Sequence, residues 1–370
     1  MDTGYPARRP KLRLLYENTD ISKEVGQDLV AFSWTDKSAK EADDLQVTLH
    51  NLHGLWNGSW MPAKGAKLIA SITVRNWERK GDNRTLPCGT FEIDEIDVFG
   101  KPENQVTIKA VSTPVKSKIR GTAKTRAWEA VKLSEIAGDI AKGAGLALIF
   151  ELKNDPEYDR RDQMEETDLS FLQSLCTDCG ASLKVTHDRV VVFDEQEYEG
   201  KASVLTLTPE DVITWNIKSK ITGVHKACKV SYHDPETNED LEFLYNPGLK
   251  VHEDDENDHV LQINQRCKSL KEAEELAKKT LRDGNKYEMA GSFTKMGDLR
   301  IVAGVCIDLK GFGRLDDKYI VDSTTHTVGA GYVTTAEIRR VLAGKKNGKD
   351  SEIGFQNFDA YGKDFGDIKY

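Results

Sequence analysis

QMEETDLSFLQSLCTDCG, residues 163–180, is the stretch that organises the chain. Thr167 is a good N-cap, its hydroxyl placed to accept from the first turn of a helix. Glu165, Glu166 and Asp168 lie at the positive end of that helix's dipole. Leu169, Leu172, Leu175 and Cys176 follow the helical period and turn inward, and Gly180 stops the helix. Upstream, Leu133, Ile136, Ala137, Ile140 and Ala141 form a second helical stripe ended by Gly143 and Gly145, and a strand at Leu148 to Leu152 follows. Downstream, Leu183 to Thr186 and Val190 to Phe193 flank the turn His187-Asp188 as a hairpin. Residues 114–200 therefore read as an α+β unit.

On both sides of this unit the period falls to two. In residues 1–113, apolar side chains alternate at Leu12, Leu14 and Tyr16, at Leu45, Val47 and Leu49, at Leu68, Ala70 and Ile72, at Phe91 and Ile93, and at Val106, Ile108 and Ala110. Asn57-Gly58, Gly81-Asp82-Asn83 and Pro87 ahead of Gly89 punctuate them. Such a block predicts a small antiparallel barrel or sandwich. Residues 201–343 return to strands: Val204–Leu207, Ile213–Ile217, Ala227–Tyr232, Leu241–Tyr245, Val260–Ile263, Tyr287–Phe293, Leu299–Ala303, Val305–Leu309, Tyr319–Asp322 and Tyr332–Val341. One inserted helix, opened by a Ser269/Glu272 capping box, carries Ala273, Leu276, Ala277 and Thr280 on its inner side. Two β blocks around an α+β unit allow a distant internal duplication. Residues 344–370 carry no period and read as a flexible C-terminal tail.

The 370 residues are 38% hydrophobic and 31% charged, with apolar positions spread along the whole length, which excludes wholesale disorder. No apolar run approaches the roughly 18 residues of a membrane span, and the N-terminus lacks a signal-peptide core. A soluble protein folding in a cytoplasm is expected. The balance of 52 Lys+Arg against 61 Asp+Glu, net charge −9, disfavours phosphate-backbone binding as the main task. Six cysteines are too sparse for a disulfide scaffold and fit a reducing compartment.

Several clusters carry residue types used in catalysis or metal binding. Cys176 and Cys179 form a CxxC near a helix C-terminus, the wrong end to acidify a thiol, and no second ligand pair supports zinc; they read as structural thiols. His252 to His259 is rich in metal-ligand types but lacks calcium-loop or HExxH spacing, and reads as a solvated acidic loop. Glu92, Asp94, Glu95 and Asp97 suggest paired carboxylates, yet Glu92 and Asp94 alternate with Phe91 and Ile93 and so belong to a wet strand face. His326 reads as a satisfied strand histidine. The six tryptophans are scattered rather than forming a stacking stripe. Phe355, Phe358, Tyr361 and Phe365, spaced by three or four in the tail, form a possible partner-docking segment. No catalytic, cofactor or metal residue is assigned, and no cofactor is expected.

The 163–180 stretch resembles the Q-x-x-E-S-D-L-x-F-L-x-x-L-x-x-x-x-G signature of the phage late control D family of tail baseplate hubs and of the hub portion of VgrG spikes, with Thr167 in place of Ser. KLRLLYENTDIS, AFSWTDKSAKEADDLQVTLHNLHGLW, WMPAKG, LPCGTFEIDEIDV and AWEAVKLSEIAGDIA are similar to other segments of that family, as is the closing series Gly304, Gly311, Gly313, Tyr319, His326 and Gly331-Tyr332. The resemblance spans about Lys11 to Leu342. It implies a mainly β, α+β chain of two tube-type antiparallel β-barrels flanking a small α+β domain, assembled as a homotrimer with a pseudo-sixfold ring. It implies a structural baseplate hub of a contractile phage tail or bacteriocin-like particle, not an enzyme, matching a hexameric tail tube protein to a trimeric spike protein beside other baseplate proteins. The hub would sit in the virion or particle after assembly in the bacterial host cytoplasm, without membrane contact, and meet DNA only as passing cargo, with the acidic composition compatible with a lumen that repels it. The rival reading is a tail-associated cell-wall hydrolase using Glu92 or Asp94. A metal-dependent module built on His252 to His259 is a third.

Overall fold

The computed structural model describes residues 7–39, 41–112, 118–220, 222–234, 239–247, 260–265, 267 and 270–342. In chain order the first block contains β1 (Arg9–Tyr16), the short β2 (Thr19–Asp20), α1 (Ser22–Asp28), β3 (Leu29–Lys37), β4 (Asp44–His50), β5 (Lys67–Arg75), β6 (Arg84–Phe99) and β7 (Gln105–Val111). The middle unit follows with α2 (Lys118–Gly121), β8 (Ala123–Lys132), α3 (Leu133–Ala144), β9 (Ala147–Glu151), β10 (Glu157–Thr167), α4 (Asp168–Cys179), β11 (Ser182–Val185), β12 (Arg189–Phe193) and α5 (Glu195–Glu199). The last block holds β13 (Ser203–Leu207), β14 (Thr214–Ser219), β15 (Ala227–Asp234), β16 (Glu239–Tyr245), β17 (Val260–Asn264), α6 (Leu270–Asn285), β18 (Met289–Met296), β19 (Cys306–Leu309), β20 (Asp317–Val328) and β21 (Tyr332–Arg340).

The two outer blocks repeat one topology. In the first, hydrogen-bonded neighbours run β3-β4-β7-β6-β5-β1; in the second they run β14-β18-β21-β20-β19-β13. Matching strands come in the same chain order. The long strand of each block, β6 or β20, carries a bulge, between Ile93 and Glu95 in one and between Val321 and Ser323 in the other. An aspartate occupies each bulge, Asp94 and Asp322. Each bulge is where the long strand leaves its outer partner, β5 for β6 and β19 for β20, since the extra residue bends the strand and breaks the ladder. Cross-strand threonine pairs recur at matched positions: Thr48–Thr107 at 3.2 Å and Thr294–Thr335 at 3.0 Å. The two ends differ in one respect, with β1 antiparallel to β5 but β13 parallel to β19. Past its bulge β20 pairs antiparallel with β3, fusing both blocks into one thirteen-stranded sheet.

Alternation places the cores. Phe32, Trp34, Leu45, Val47, Ile72, Phe91 and Ile108 fill the first block, and Leu299, Val328 and Tyr332 of the second block complete that core. Leu207, Phe293, Ile301, Ile307, Tyr319, Val321 and Ile338 fill the second. Between the blocks in sequence, α3 and α4 bury their stripes against β9, β11 and β12, with Leu133, Ile136, Ile140, Leu172 and Leu175 at the centre.

Two expectations need correcting. The strands near 227–264, read as part of the second barrel, form a separate three-stranded sheet, β16-β15-β17, with α6 on its inner face through Ala273, Ala277 and Leu281. They interrupt the block between β14 and β18, and alternation alone cannot say which sheet a strand joins. Leu299 to Ala303 is not a strand: its apolar residues are buried, but its backbone bonds to side chains, Ile301 O accepting from His326 and Ala303 N donating to Asp36. The polar segment ahead of α4, to which the sequence reading gave no element, is strand β10 paired with β8, and it runs up to the Thr167 cap where the helix was expected to begin.

Gly291 shows why the edge strand β14 can sit where it does. A Cβ there would lie 2.0 Å from the backbone oxygen of Asn216 on β14. Gly291→Ala is expected to cost about 1–3 kcal/mol by forcing the two strands apart. Chemical denaturation checks this, and an unchanged midpoint would refute it.

Candidate assembly surfaces and the locks behind them

The family-like signature first explains itself. Thr167 Oγ1 accepts from Ser170 N at 3.2 Å, and Gly180 adopts the left-handed conformation with φ +59°. Gln163 and Asp168 are buried together: Gln163 donates to Asp168 Oδ1 at 3.1 Å and accepts from Arg126 Nε at 2.9 Å. Arg126 Nη2 and Lys124 Nζ meet the Asp168 carboxylate at 2.7 and 2.5 Å. The motif thus ties the N-terminus of α4 to β8 and β10, since a buried carboxylate needs such partners.

Two ionic locks join the middle unit to the blocks. Lys184 on β11 reaches Asp36 on β3 at 2.7 Å and Asp43 at 3.2 Å, all three largely buried. Asp36 also accepts from Ala303 N at 2.9 Å, so one carboxylate touches the first block, the middle unit and the second block. With one cation for two carboxylates, burial pushes Asp43 up to about 6, Lys184 opposing and Asp36 adding to the rise. The second lock centres on Arg339 of β21, which is 2% exposed. It meets Glu199 at 2.5 Å, Glu195 at 3.0 Å and Asp322 at 3.0 Å. Arg282 of α6 and Lys286, the residue after that helix, close on Glu199 and Glu195 at 2.6 and 3.2 Å. Burial raises Asp322 to about 6 against the pull of Arg339. The short helix α5, which the sequence reading missed, thereby binds three units through charges that pair sign for sign.

His326 lies at the seam between blocks. Its ring stacks on Trp34 with centroids 5.3 Å apart, Nδ1 lies 2.7 Å from Tyr332 Oη and Nε2 lies 2.9 Å from Ile301 O. A satisfied strand histidine is therefore what the structure contains. Burial lowers its pKa from 6.5 to about 4, with the Ile301 carbonyl, Asp36 and Asp298 pulling the other way. A depressed folded pKa means that its contribution to stability is present above pH 6.5 and lost as pH falls toward 4. Asp43 and Asp322, raised in the fold, change stability in the opposite sense over part of that window. His326→Gln removes only the histidine term. The expected result is a lower melting temperature at pH 7.5 but a flatter decline between pH 6.5 and 4 than in the parent; parallel curves would contradict this.

Among the described residues, no hydrophobic core cluster lies on the other side of the thirteen-stranded sheet. A row of paired residues crosses it from Thr214 through Thr294, Thr335, Thr325 and Thr35 to Asp44, Val111, Glu92 and Lys67. Lys37, Lys109 and Lys218 share this face with Glu95, Asp97 and Glu337. The surface is hydroxyl-rich and carries both signs.

Among the described residues several strands of this sheet pair on one side only, β13 and most of β1 among them, and two such edges terminate the run of strands that carries this face. One is β6 beyond its bulge, residues 95–99, where Val98 and Phe99 are 45% and 47% exposed. The other is β14, bonded only to β18, where Ile213 and Trp215 are 63% and 45% exposed. Leu52, Trp60 and Met61, in the loop after β4, are further exposed apolar residues of the first block. Sequence reasoning missed these edges because an unpaired edge leaves no periodic signature.

The remaining sequence candidates fall as follows. Glu92 is half-buried on the polar face and Asp94 is the exposed bulge residue. Glu95 and Asp97 share Lys109 at 3.2 and 2.8 Å. Cys176 and Cys179 are unbridged, and burial pushes both thiols up. Trp34, Trp56 and Trp77 are core residues, and Trp128 stacks on Phe171 with centroids 5.1 Å apart. His252 to His259, and the tail residues Phe355, Phe358, Tyr361 and Phe365, lie outside the described residues. No helix among the described residues is long and apolar enough to cross a membrane.

Residues 100–332 match the family described as phage tail baseplate hub (GPD), and the chain belongs to that family. It is 29% identical over 181 residues to the probable baseplate hub protein of Escherichia phage 186, an alignment covering 48% of this chain and 43% of that protein. The chain thus spans less than half the length of the curated relatives it matches. In fold it is similar to a tail protein from Neisseria meningitidis MC58, with TM-score 0.66 at 12% identity, covering 90% of this chain and 96% of the other. It is also similar to the 43 kDa tail protein of prophage MuSo2 from Shewanella oneidensis, with TM-score 0.67 at 11% identity, covering 90% and 98%.

Proposed function

We propose that three copies of this chain form the central ring of a contractile tail or tail-like particle, each copy supplying two tube-type barrels, so that six equivalent blocks face a sixfold tail tube. The true threefold axis then faces a trimeric spike. The observation that carries this reading is the repeated strand order of the two blocks, joined by the β20–β3 ladder. Two like blocks per chain are what lets three chains present six like surfaces, and closed rings dock without frustrated contacts when their repeats coincide.

The role is mechanical rather than catalytic. The two ionic locks fasten the middle unit to both blocks, and a clamped unit outside the ring is suited to other baseplate partners. The polar sheet face is the surface assigned to the channel. Its mixed charges revise the expectation of a repelling acidic lumen: hydroxyls with both signs offer a polyanion neither a strong barrier nor a deep well. The working location is the tail baseplate, after assembly in the host cytoplasm.

Particles made without this chain are expected to lack baseplates in negative-stain micrographs, and expression in trans should restore them. Intact baseplates in its absence would overturn the reading.

A further inference from the structure

We propose that the ring closes by pairing residues 95–100, the end of β6 and the residue after it, antiparallel with residues 215–220, β14 and the residue after it, of a second copy, in the register that sets Asp97 opposite Lys218 and Glu95 opposite Lys220. This rests on the ring reading above and names the seam between its chains.

The register comes from the duplication. Within the chain, β20 beyond its bulge pairs with β3: Ser323 faces Lys37, Thr325 faces Thr35, His326 faces Trp34 and Val328 faces Phe32. The equivalent of β20 in the first block is β6. Aligning the two on their bulges matches Glu95 with Ser323, Asp97 with Thr325, Val98 with His326 and Gly100 with Val328. The equivalent of β3 in the second block is β14. Trp34 faces Leu45 on β4, which faces Ala110 on β7; Ile217 faces Gly291 on β18, which faces Ile338 on β21. Ala110 and Ile338 both sit opposite the residue just before a bulge, Ile93 and Val321. Ile217 therefore matches Trp34, Lys218 matches Thr35 and Lys220 matches Lys37.

Transferring the observed seam to the two open edges gives one register with no free choice. That register is complementary in charge, with two carboxylates against two ammonium groups on the polar face. On the apolar side it sets Val98 against Ile217 and Gly100 against Trp215, covering the side chains left 45% exposed at Val98 and Trp215. The two edges lie at the ends of a run of eight strands and do not pair with each other within the chain. Long open edges are templates for another strand, and a head-to-tail contact of this kind makes rings when its rotation closes. Lys109, already shared by Glu95 and Asp97, remains beside the new pairs as a third cation.

The test uses native mass spectrometry of the full chain across a concentration series. Glu95→Lys with Asp97→Lys, and separately Lys218→Glu with Lys220→Glu, are each expected to weaken self-association roughly 100-fold, because each sets like charges opposite one another. All four substitutions in one chain reverse both edges together and are expected to restore association. Melting curves of the unassociated chains control for folding, and Asp97→Asn with Lys218→Gln serves as the milder pair. Parent rings of three chains that ignore both reversals would overturn the seam and leave the ring reading standing. A parent that stays monomeric even with its tube and spike proteins present would overturn both.

Discussion

Arg339→Met is expected to destabilise the chain by about 3–5 kcal/mol, the scale for removing one partner of a buried charge set. Arg339 is nearly inaccessible and touches Glu195, Glu199 and Asp322 within 3.0 Å. Without it, the cations left to the three carboxylates are Arg282 of α6 and Lys286 just after it. The loss reflects uncompensated charge more than a missing attraction, so Arg339→Met combined with Glu199→Gln is expected to recover part of it. Urea denaturation followed by tryptophan fluorescence measures both. A loss under about 1 kcal/mol, as for exposed ion pairs, would show that the lock does not hold the units together.

Lys184→Met is the second large effect, again about 3–5 kcal/mol near pH 7.5, and it has a distinct pH signature. The substitution leaves Asp36 and Asp43 buried beside each other without their cation. Asp43 is already raised to about 6 with Lys184 in place. A carboxyl raised in the fold is most favourable while protonated, so its contribution falls away as pH climbs through that value. Removing the lysine raises it further, and the defect of Lys184→Met is expected to shrink markedly by pH 5. Asp43→Asn, which leaves Lys184 and Asp36 as a one-to-one pair, is expected to stabilise the chain at pH 7.5. A Lys184→Met defect equal at pH 5 and 7.5 would contradict the charge account and point to packing alone.

Local signals in the sequence translated well where one residue type has one physical use. Thr167 caps, Gly180 ends its helix in the left-handed region, and the stripes from Leu133 to Ala141 and from Leu172 to Cys176 bury as their period requires. The Q-to-D spacing of the signature was legible only as a resemblance; the buried Gln163–Asp168–Arg126 network gives it a reason. What sequence could not supply was partnership between distant segments. The strands around 227–264 alternate as convincingly as their neighbours, yet belong to another sheet. Leu299 to Ala303 is apolar enough for a strand but satisfies its backbone through His326 and Asp36. The duplication stayed hidden because its copies share geometry more than residues. Thr48 and Thr107 answer to Thr294 and Thr335, and Asp94 answers to Asp322, while the segment carrying β15, β16, β17 and α6 splits the second copy. The locks were equally invisible, since Glu195, Glu199 and Arg339 look in sequence like ordinary surface charges.

The central claim is that two duplicated blocks per chain become six positions around one axis. A three-dimensional reconstruction of the intact particle at the level of this hub tests it most directly. The account predicts three chains whose six β blocks stand at one radius in a single closed sheet, with the α+β units outside. Hub density holding one or two chains, or blocks from one chain at different radii, would contradict it.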